Sequence, residues 1–401
     1  MPSESSAVIT DVPETDAPLA PAIDIVVNRD QLLLQLTAAH NIALNKTTVP
    51  MLSHILLEAR EGKLFLSATN GQESLRTSLP AAIRKEGTAA VPGRKFYDYI
   101  RLLPAGDVSL VSLPNFWVQI KAGRSRTRLL GMAGKDFPAL PAPQGSAIKI
   151  PAALLRSFLP RIMYAISNEE SRYTLKGALL VLAPGRITMV ATDGHRLAKV
   201  ERASDDLGIA SETKAVIPAQ ALAHLLAILS TAGQTEMVEY STDESTLQFR
   251  VGTRLLSTRR LAGSFPNYQA VIPAGNTNEV LLDTAEIERS IRRVAHFADD
   301  RVQAIGFSLD ANSLKIGSSS PESGQSEDLH EVPYAGKEAI RIGFNALYLL
   351  DFLKAIGGQG GFRLQLKDDN SAAVLRPETD QAQDDYLCIV MPVRVQSPRL
   401  A

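Results

Sequence analysis

The chain has 401 residues, 45% of them hydrophobic, and a formal net charge of −1. This length suits about three domains of ordinary size, and no apolar run approaches the ~20 residues that a membrane-spanning helix needs. The single cysteine, Cys388, excludes an intrachain disulfide, and no CxxC motif or Cys/His cluster occurs, so we expect a soluble, cytoplasmic protein without a bound metal.

The first 22 residues differ in composition from the rest of the chain. Residues 1–22 are rich in Pro, Ser, Thr and Ala, carry Glu4, Asp11, Glu14 and Asp16, and contain no Lys or Arg. They lack the basic start and the apolar stretch of a signal peptide. We therefore expect a disordered acidic tail.

From residue 23 onward the chain repeats one pattern three times. A short strand, a Pro or Asn, and an amphipathic helix recur at Pro92, Pro218 and Asn345, which are 126 and 127 residues apart. A fixed long period indicates repeated domains. We place the domain limits at 23–146, 147–277 and 278–395, followed by an extension at 396–401.

Each copy also contains an earlier helix and a strand between its two helices. Apolar residues at helical spacing predict the earlier helix; they are Leu32, Leu33 and Leu36, then Leu154, Leu155, Phe158, Leu159 and Ile162, then Ile287, Ile291, Val294 and Phe297. Alternating runs predict the strands 64–69, 187–192 and 313–318. Two further strands are expected after the second helix. Every copy is thus predicted to be an α+β unit with two helices against antiparallel sheet.

The starts of the second helices have a physical reason of their own. Pro92 and Pro218 suit the first helical position, where a missing N–H costs nothing, and Asn345 can cap the free N–H groups with its side chain. The polar stretch 318–328 lies inside the third copy, before such a start. This position favours a loop or a weak edge strand over an interdomain linker.

The near-neutral charge argues against a tight grip on nucleic acid, but the cations are unevenly placed. Arg289, Arg292 and Arg293 lie at i, i+3 and i+4 of a predicted helix, and Arg94 and Lys95 lie on another. Such clusters fit either an ordinary solvated helix face or a locally positive surface. Composition alone leaves both interpretations open.

The segment 191–198, with the sequence ATDGHRLA, is the strongest local candidate for enzyme chemistry. Asp193 and His195 could serve acid–base catalysis in a cytosolic hydrolase. Adjacent polar residues in a turn do not supply a nucleophile, an oriented base and an oxyanion site together, and Asp-Gly is an ordinary turn signal. No glycine-rich phosphate loop or metal-spaced carboxylate pair occurs. The pattern therefore favours a turn over a catalytic site.

The same octapeptide closely resembles the signature of the bacterial sliding clamp, the beta subunit of DNA polymerase III. Similar motifs occur in the same order between residues 23 and 395; they are VPML (49–52), VPGRKF (91–96), GRSR (123–126), SRYTLKG (171–177), FPNY (265–268), IGFN (342–345) and VMPVR (390–394). Ordered matches in all three copies are far more specific than any one of them. The resemblance implies a non-catalytic processivity subunit of three clamp domains, which forms a six-domain ring as a head-to-tail dimer.

The resemblance also implies what the ring does and with which partners. A ring around double-stranded DNA gives processivity through a topological link, without sequence readout or a tight phosphate grip, and this suits the near-neutral charge. The implied partners are a second copy of the chain, a clamp loader that opens the ring, the replicative polymerase and other clamp-motif proteins. The ring itself needs no cofactor.

By resemblance, these partners dock a short linear peptide in a pocket between the second and third domains. The residues carried over to this pocket are Arg172, Leu175, Thr192, Gly194, His195, Arg196, Leu197, Pro266, Val271, Asn345, Tyr348, Val390, Met391, Pro392 and Arg394. Aliphatic members would take apolar anchors, while Arg, His and Asn would bind the peptide backbone or polar side chains. For each apolar member an ordinary core position is the alternative.

Two further surfaces follow from the resemblance. DNA contacts are expected from Lys46, Arg94, Lys95, Tyr173, Arg289, Arg292 and Arg293. The dimer seam is expected at a strand 124–128, where the period of two places Arg124, Arg126 and Arg128 on one face, with Phe297 as an apolar contact. The alternative for these arginines is charged protection of an unpaired sheet edge.

The chain departs from the family pattern at positions that bear on function. Ala270 stands where a basic residue is common and Val302 where an aromatic one is common, so the peptide preference can differ. Pro218 is followed by Ala-Gln where basic residues often line the ring, which predicts weaker DNA contact there. The added residues 396–401 lie beside the expected pocket. The alternative within the fold is a specialised second-copy clamp for repair or for resistance to an inhibitor.

Overall fold

The computed structural model describes residues 23–394, with gaps at 44–46, 145–146, 205–206, 300–301, 322–323, 335, 337–338, 359 and 379–382. Contacts divide the chain into two compact units, one ending at Pro141 and one beginning at Ala142. The predicted tail 1–22, Lys46 and the extension 396–401 lie outside the described residues. No described helix is long and apolar enough to span a membrane.

The first unit contains one copy of the predicted repeat. Its helices are α1 (Arg29–Ile42) and α2 (Gly93–Leu102). Its strands are β1 (Asp24–Asn28), β2 (His54–Arg60), β3 (Lys63–Thr69), β4 (Glu73–Pro80), β5 (Ala82–Lys85), β6 (Gly87–Pro92), β7 (Asp107–Ser112), β8 (Trp117–Ala122) and β9 (Ser125–Leu130). One antiparallel sheet has the order β5-β1-β7-β8-β9, and β4-β3-β2-β6 are neighbours in another. The Asn28 side chain caps α1 by accepting hydrogen bonds from two backbone N–H groups. Leu32 and Leu36 on this helix are buried.

The second unit begins with the second copy. Its helices are α3 (Ala152–Met163) and α4 (Ala219–Leu229). Its strands are β10 (Ile148–Pro151), β11 (Gly177–Ala183), β12 (Arg186–Thr192), β13 (Arg196–Ala203), β14 (Thr213–Pro218), β15 (Met237–Thr242), β16 (Thr246–Val251) and β17 (Arg254–Arg259). The strands β10-β15-β16-β17 are neighbours in one sheet, and β14-β11-β12-β13 are neighbours in another.

The third copy completes the second unit. Its helices are α5 (Thr284–Ala295) and α6 (Ala346–Ala355). Its strands are β18 (Asn278–Asp283), β19 (Ala304–Asp310), β20 (Ser313–Ser320), β21 (Gly324–Glu331), β22 (Ile340–Asn345), β23 (Gly361–Leu366), β24 (Ala373–Pro377) and β25 (Asp384–Val390). One sheet has the order β21-β20-β19-β22, and β18-β23-β24-β25 continue the sheet of β13.

The second and third copies share one continuous sheet. β13 and β25 pair antiparallel, with Arg196 opposite Val390 and Arg202 opposite Asp384. Asp384, whose side chain is 9% exposed, accepts hydrogen bonds from Arg161 at 2.6 Å and from Arg202 at 2.5 Å. Hydrogen bonds between a carboxylate and two guanidinium groups are charge-assisted and strong, so this pairing helps to fix the junction on which the site is built.

The predicted repeat of two helices against antiparallel sheet is confirmed, with two local corrections. Three strands follow the second helix of each copy, not two. Pro92 and Pro218 occupy the cap position before α2 and α4, so their predicted place inside the helix is wrong. Each proline ends a strand, where its fixed φ suits extended backbone, and the helix starts one residue later. Asn345 caps α6 as predicted, accepting the N–H of Leu347.

Two of the strands at sheet edges bear on the predictions. β9 ends the five-stranded sheet of the first unit, and β21, which contains residues 324–328 of the predicted polar stretch, ends the four-stranded sheet of the third copy. Arg126 and Arg128 are exposed on β9, but Arg124 precedes the strand, in a turn after Gly123. The expected strand 124–128 therefore starts one residue later than predicted.

Candidate functional site

One carboxylate holds together the turn between β12 and β13. Oδ1 of Asp193 accepts the backbone N–H groups of His195 and Arg196, each at 2.9 Å, and Oδ2 accepts Nε of Arg196 at 3.0 Å. Oγ1 of Thr192 donates to the Arg196 carbonyl at 2.6 Å and accepts the N–H of Gly194 at 3.1 Å. Both oxygens of Asp193 are therefore engaged in shaping the turn.

Arg196 connects this turn to two helices. Its Nη1 donates to Asp351 on α6 at 2.6 Å, and its Nη2 donates to the carbonyl of Tyr164, which follows α3, at 2.5 Å. Its guanidinium lies 4.4 Å from the ring centre of Tyr348 and 5.2 Å from that of Tyr164, a cation–π geometry. Burial alone lowers the pKa of Arg196, but hydrogen bonds and charges from Asp351 and Asp193 outweigh it and raise that pKa. The side chain therefore stays charged.

Arg172 supports the turn from its other side. Its Nη1 donates to the carbonyl of Asp193 at 2.5 Å, and its Nε pairs with Glu169 at 2.9 Å. Gly194 lies beside this contact with a φ of +88°, and a Cβ there would lie 2.1 Å from Nη1 of Arg172. Only glycine combines this left-handed backbone with so close an approach.

Replacing Gly194 with alanine should destabilise the turn and displace Arg172. The left-handed backbone costs an alanine about 1–2 kcal/mol. Arg172 can swing away from the new Cβ, at the further cost of its hydrogen bond, about 1 kcal/mol. Gly62→Ala is the matched control, because Gly62 has a φ of +69° with nothing within 4 Å. Denaturant unfolding should show a larger loss for Gly194→Ala, and equal losses would contradict the Arg172 contact.

The chain after β25 crosses both the turn and the start of α6. The N–H of Met391 donates to the carbonyl of His195 at 2.9 Å, and the N–H of Val393 donates to the carbonyl of Gly343 at 2.9 Å. Nδ2 of Asn345 donates to the carbonyl of Val302 at 3.0 Å. Residues of the second and third copies thus form one surface around the turn.

The apolar members of the predicted pocket divide into two groups. Leu175, Leu197 and Val390 are at most 8% exposed, so they belong to the core. Val271 and Met391 are 44% and 38% exposed, and these can meet a ligand. The remaining predicted members at the surface or partly exposed are Arg172, Thr192, Gly194, His195, Arg196, Pro266, Asn345, Tyr348, Pro392 and Arg394.

The geometry does not form the hydrolase site considered for Asp193 and His195. Asp193 accepts the backbone N–H of His195, and no described contact joins its carboxylate to the imidazole. Burial raises the pKa of the Cys388 thiol to about 12, so this buried side chain is no nucleophile either. The residues instead build a turn, as the Asp-Gly pair predicts.

A second polar group has the contacts of a serine triad without its access. Nε2 of His330 lies 3.0 Å from Oγ of Ser290, and Nδ1 lies 2.7 Å from Oε1 of Glu286. Ser290 is 0% exposed and His330 is 7% exposed. A nucleophile must reach its substrate, so this group fastens β21 to α5 and catalyses nothing.

A cavity of about 610 Å³ lies between strands β11–β14 and the segment 263–272, and no residue of the turn 192–196 lines it. Its lining contains Arg186, Lys199, Glu201, Glu212, Lys214 and Arg260, and of the predicted pocket residues only Pro266. Several of these charges are paired, with Lys214 2.7 Å from Glu212 and Lys199 3.0 Å from Asp385, while Arg260 donates to the Lys214 carbonyl at 3.3 Å. A lining that mixes charges of both signs points to no one class of ligand.

The residues predicted to contact DNA in the first two copies are exposed where they are described. Arg94 and Lys95 lie at the start of α2, with Arg94 3.7 Å from Asp98. Tyr173 is 53% exposed. Lys46 lies outside the described residues.

On α5 two of the three predicted cations are paired. Arg292 lies 2.7 Å from Glu288, and Arg293 is bonded to Asp328 on β21. Arg289 is exposed, and no described carboxylate lies within 4 Å of it. Of the three, Arg289 is therefore the side chain most available to a phosphate.

The two sheet edges carry opposite charges. Arg126 is exposed on β9, while Glu327 is exposed on β21, beside Leu329 at 72% exposure. Phe297 lies near the start of β21, with its Cδ1 4.0 Å from the position that a Cβ on Gly324 would occupy. Both edges thus present groups suited to a protein contact.

Three family models match consecutive parts of the chain. They are the N-terminal, central and C-terminal domains of the DNA polymerase III beta subunit, at residues 23–141, 149–267 and 269–394. The beta sliding clamp of Pseudomonas aeruginosa is 31% identical over 374 residues, covering 92% of this chain and 99% of that protein. The chain belongs to the DNA polymerase III beta subunit family. The resemblance found in the motifs is confirmed.

Other clamps extend the comparison to structure. The beta sliding clamp of Chlamydia pneumoniae is 29% identical over 371 residues, 92% of this chain and 98% of that protein. The crystal structure of the Pseudomonas aeruginosa clamp bound to griselimycin has a TM-score of 0.87 at 28% identity, covering 93% of this chain and 100% of that one. The predicted three-domain clamp fold is confirmed, as is the prediction of a non-catalytic sliding clamp.

Two residues that hold the turn could not be identified from the motifs of the clamp family. Asp351 and Tyr164 contact Arg196, from 155 and 32 residues away in the chain. Asp351 lies three positions after Tyr348, on the same face of α6, and this spacing could have identified it. Tyr164 contributes its backbone carbonyl, which no side-chain pattern reveals.

Proposed function

We propose that this clamp closes a ring as a head-to-tail homodimer, encircles duplex DNA without sequence preference, and tethers the replicative polymerase and other proteins with a clamp-binding peptide. The observation that carries the ring is the β13–β25 pairing. The equivalent strands β21 and β9 are both edges of their sheets. A second copy can repeat the same pairing there, twice per ring.

The repeat gives the register of this pairing. When the strand pairs are followed from the residues before α4 and α6, Glu327 takes the position equivalent to Lys199. When the strand pairs are followed from the cap residues of α1 and α5, Arg126 takes the position equivalent to Leu387. Because Lys199 lies opposite Leu387 in the chain, Glu327 of one copy lies opposite Arg126 of the other.

Charge supports the same register. Lys199 pairs with Asp385 at 3.0 Å across the internal junction. In the equivalent positions the signs are exchanged, since Glu327 replaces Lys199 and Arg124 replaces Asp385. Opposite charges at both positions favour the head-to-tail pairing and disfavour the pairing of two like edges. Phe297 adds an apolar contact at the start of β21.

The ring makes only weak contacts with DNA. Each phosphate that a cation neutralises adds to the salt-dependent affinity for DNA. Because the net charge of the chain is −1, only local clusters of cations can make such contacts. The contacts are proposed at Lys46, Arg94, Lys95, Tyr173, Arg289, Arg292 and Arg293. A closed ring keeps hold of DNA by topology, and a clamp loader in the cytoplasm must therefore open it. The domain limits 23–146, 147–277 and 278–395 are part of the same proposal.

Partner docking is proposed at the surface around the turn 192–196. Val271 and Met391 offer exposed apolar contacts, and Arg172 and His195 offer polar groups at the turn, where the N–H of Met391 bonds the His195 carbonyl. An extended peptide with apolar anchors suits this combination. Ala270 and Val302 are both exposed, so they alter the rim and with it the preferred sequence.

The test is a titration with a labelled clamp-binding peptide from the replicative polymerase of the same organism. We expect saturable micromolar binding, and a loss of about tenfold or more in Arg172→Ala, because truncation removes a charged donor and leaves the Asp193 carbonyl unpaired. Arg186→Ala, at a 52% exposed arginine of the same domain, is the matched control.

The outcomes separate the two functions within the fold. Binding that survives in Arg186→Ala and is lost in Arg172→Ala supports a general docking clamp. No binding by the unaltered protein would count against it, and would favour a specialised second-copy clamp whose rim, at Ala270 and Val302, takes other partners.

A further inference from the structure

Three large apolar side chains are exposed at one corner of the first unit. Phe116, Trp117 and Leu130 are 47%, 38% and 53% exposed, and Trp117 lies opposite Leu130 in the β8–β9 pair. Asn115 and Phe116 hold φ values of +58° and +63°, a conformation that costs a non-glycine residue on the order of 1–3 kcal/mol. A strained loop that presents aromatic rings beside an open sheet edge indicates an interaction surface.

The repeat identifies what covers the equivalent corner of the third copy. The pairings of β1 with β7 and β18 with β23 place Trp117 at the position that Ala372 takes there. Ala372 is packed, with Phe265 and Tyr268, against the apolar cluster at the β13–β25 junction. The segment 261–272 of one domain thus covers the corner of the next.

In every copy the chain after the last strand crosses to the strand before the second helix. The bonds run from the N–H groups of Met132, Leu261 and Val393 to the carbonyls of Ala90, Val216 and Gly343. Leu261 and Val393 are therefore equivalent. Residues 394–401 then correspond to 262–269, the stretch that carries Phe265 and Tyr268, and Pro398 corresponds to Pro266.

The third domain itself gives this segment little apolar surface to cover. The outward row formed in the second copy by Val190, Leu179 and Val216 is formed in the third by Gly317, Gly306 and Gly343. Glycines bury almost no apolar area. On this face the third domain offers mainly Leu329, which is 72% exposed on β21. The larger exposed apolar surface belongs to the adjoining domain, which in the ring is the first domain of the second copy.

We propose that residues 395–401 of one copy pack on Trp117 and Phe116 of the other copy and fasten the ring at its seam. This inference rests on the head-to-tail ring proposed above. Val395, Pro398 and Leu400 supply apolar groups for the exposed rings, and an aliphatic contact with an indole excludes water from both. The extension thus belongs to the dimer seam and leaves the peptide surface open.

The single tryptophan of the sequence reports this contact directly. We compare the full chain with a chain truncated after Arg394 and with Leu400→Asp, by sedimentation and by acrylamide quenching of Trp117. In the truncated and substituted dimers, quenching should rise about twofold, because an indole 38% exposed in one copy loses its cover. The dimer Kd should rise about tenfold, which corresponds to ~1.4 kcal/mol.

Leu102→Asp is the matched control, since Leu102 is a 78% exposed leucine on α2, and it should change neither measurement. If the truncated chain dimerises with unchanged Kd and unchanged quenching, the ring stands and the extension does not touch Trp117. If the full chain sediments as a monomer at micromolar concentration, the ring itself is wrong, and the seam contact fails with it.

Discussion

Arg126→Glu should convert the protein from dimers to monomers at micromolar concentration. In the proposed register Arg126 of one copy faces Glu327 of the other, and the substitution sets two carboxylates opposite each other. Like charges across an interface cost several kcal/mol. The contact occurs twice in a closed ring, so we expect the dimer Kd to rise by about 10³-fold or more. Sedimentation velocity over a concentration series measures it.

Charge exchange makes this test specific to the register. Glu327→Arg alone should dissociate the dimer for the same reason, and the double variant should restore most of the affinity, because each seam then contains the same pair with its signs exchanged. Arg84→Glu is the matched control; Arg84 is exposed on β5, at the opposite edge of the same sheet. A double variant no tighter than the single ones would contradict the pairing of these residues.

The helices and strands of the repeat could be predicted because the same sequence pattern occurs three times. The apolar stripes of Leu32 and Leu36, and of Ile287 and Ile291, are buried in the structure, since a periodic stripe can be buried only by a helix of matching pitch. Asn345 caps α6 because an Asn side chain placed directly before a helix can accept a hydrogen bond from a free N–H group of the first turn. Local chemistry decides these features, so the local sequence suffices.

What could not be predicted depends on contacts between distant parts of the chain. The outward positions of Leu179 in the second copy and Gly306 in the third are equivalent, yet no pattern within either strand indicates which face a neighbouring segment covers. Two buried members of the predicted pocket, Leu197 and Val390, are core because β13 meets β25. Strand pairing across about 190 residues is set by the assembled sheets and is invisible to periodicity.

Arg196→Ala should cost the second unit more stability than the truncation of any other charged side chain in the site. Arg196 is 11% exposed and bonds Asp193, Asp351 and the Tyr164 carbonyl, while its guanidinium stacks on Tyr348. Removing one partner of a buried ion pair typically costs 3–5 kcal/mol, and the 41% exposure of Asp351 places this case at the low end, about 3 kcal/mol.

The matched comparison is Arg172→Ala, an arginine of the same turn whose partner Glu169 is 53% exposed. An exposed pair contributes about 0–1 kcal/mol, so Arg172→Ala should weaken peptide binding with little loss of stability, whereas Arg196→Ala should lose both. For a unit of this size about 3 kcal/mol lowers the Tm by roughly 6–12 °C, which circular dichroism resolves. Equal melting of the two variants would mean that Arg196 serves only as a surface donor, and that the β13–β25 pairing and its ion pairs hold the junction of the second and third domains without it.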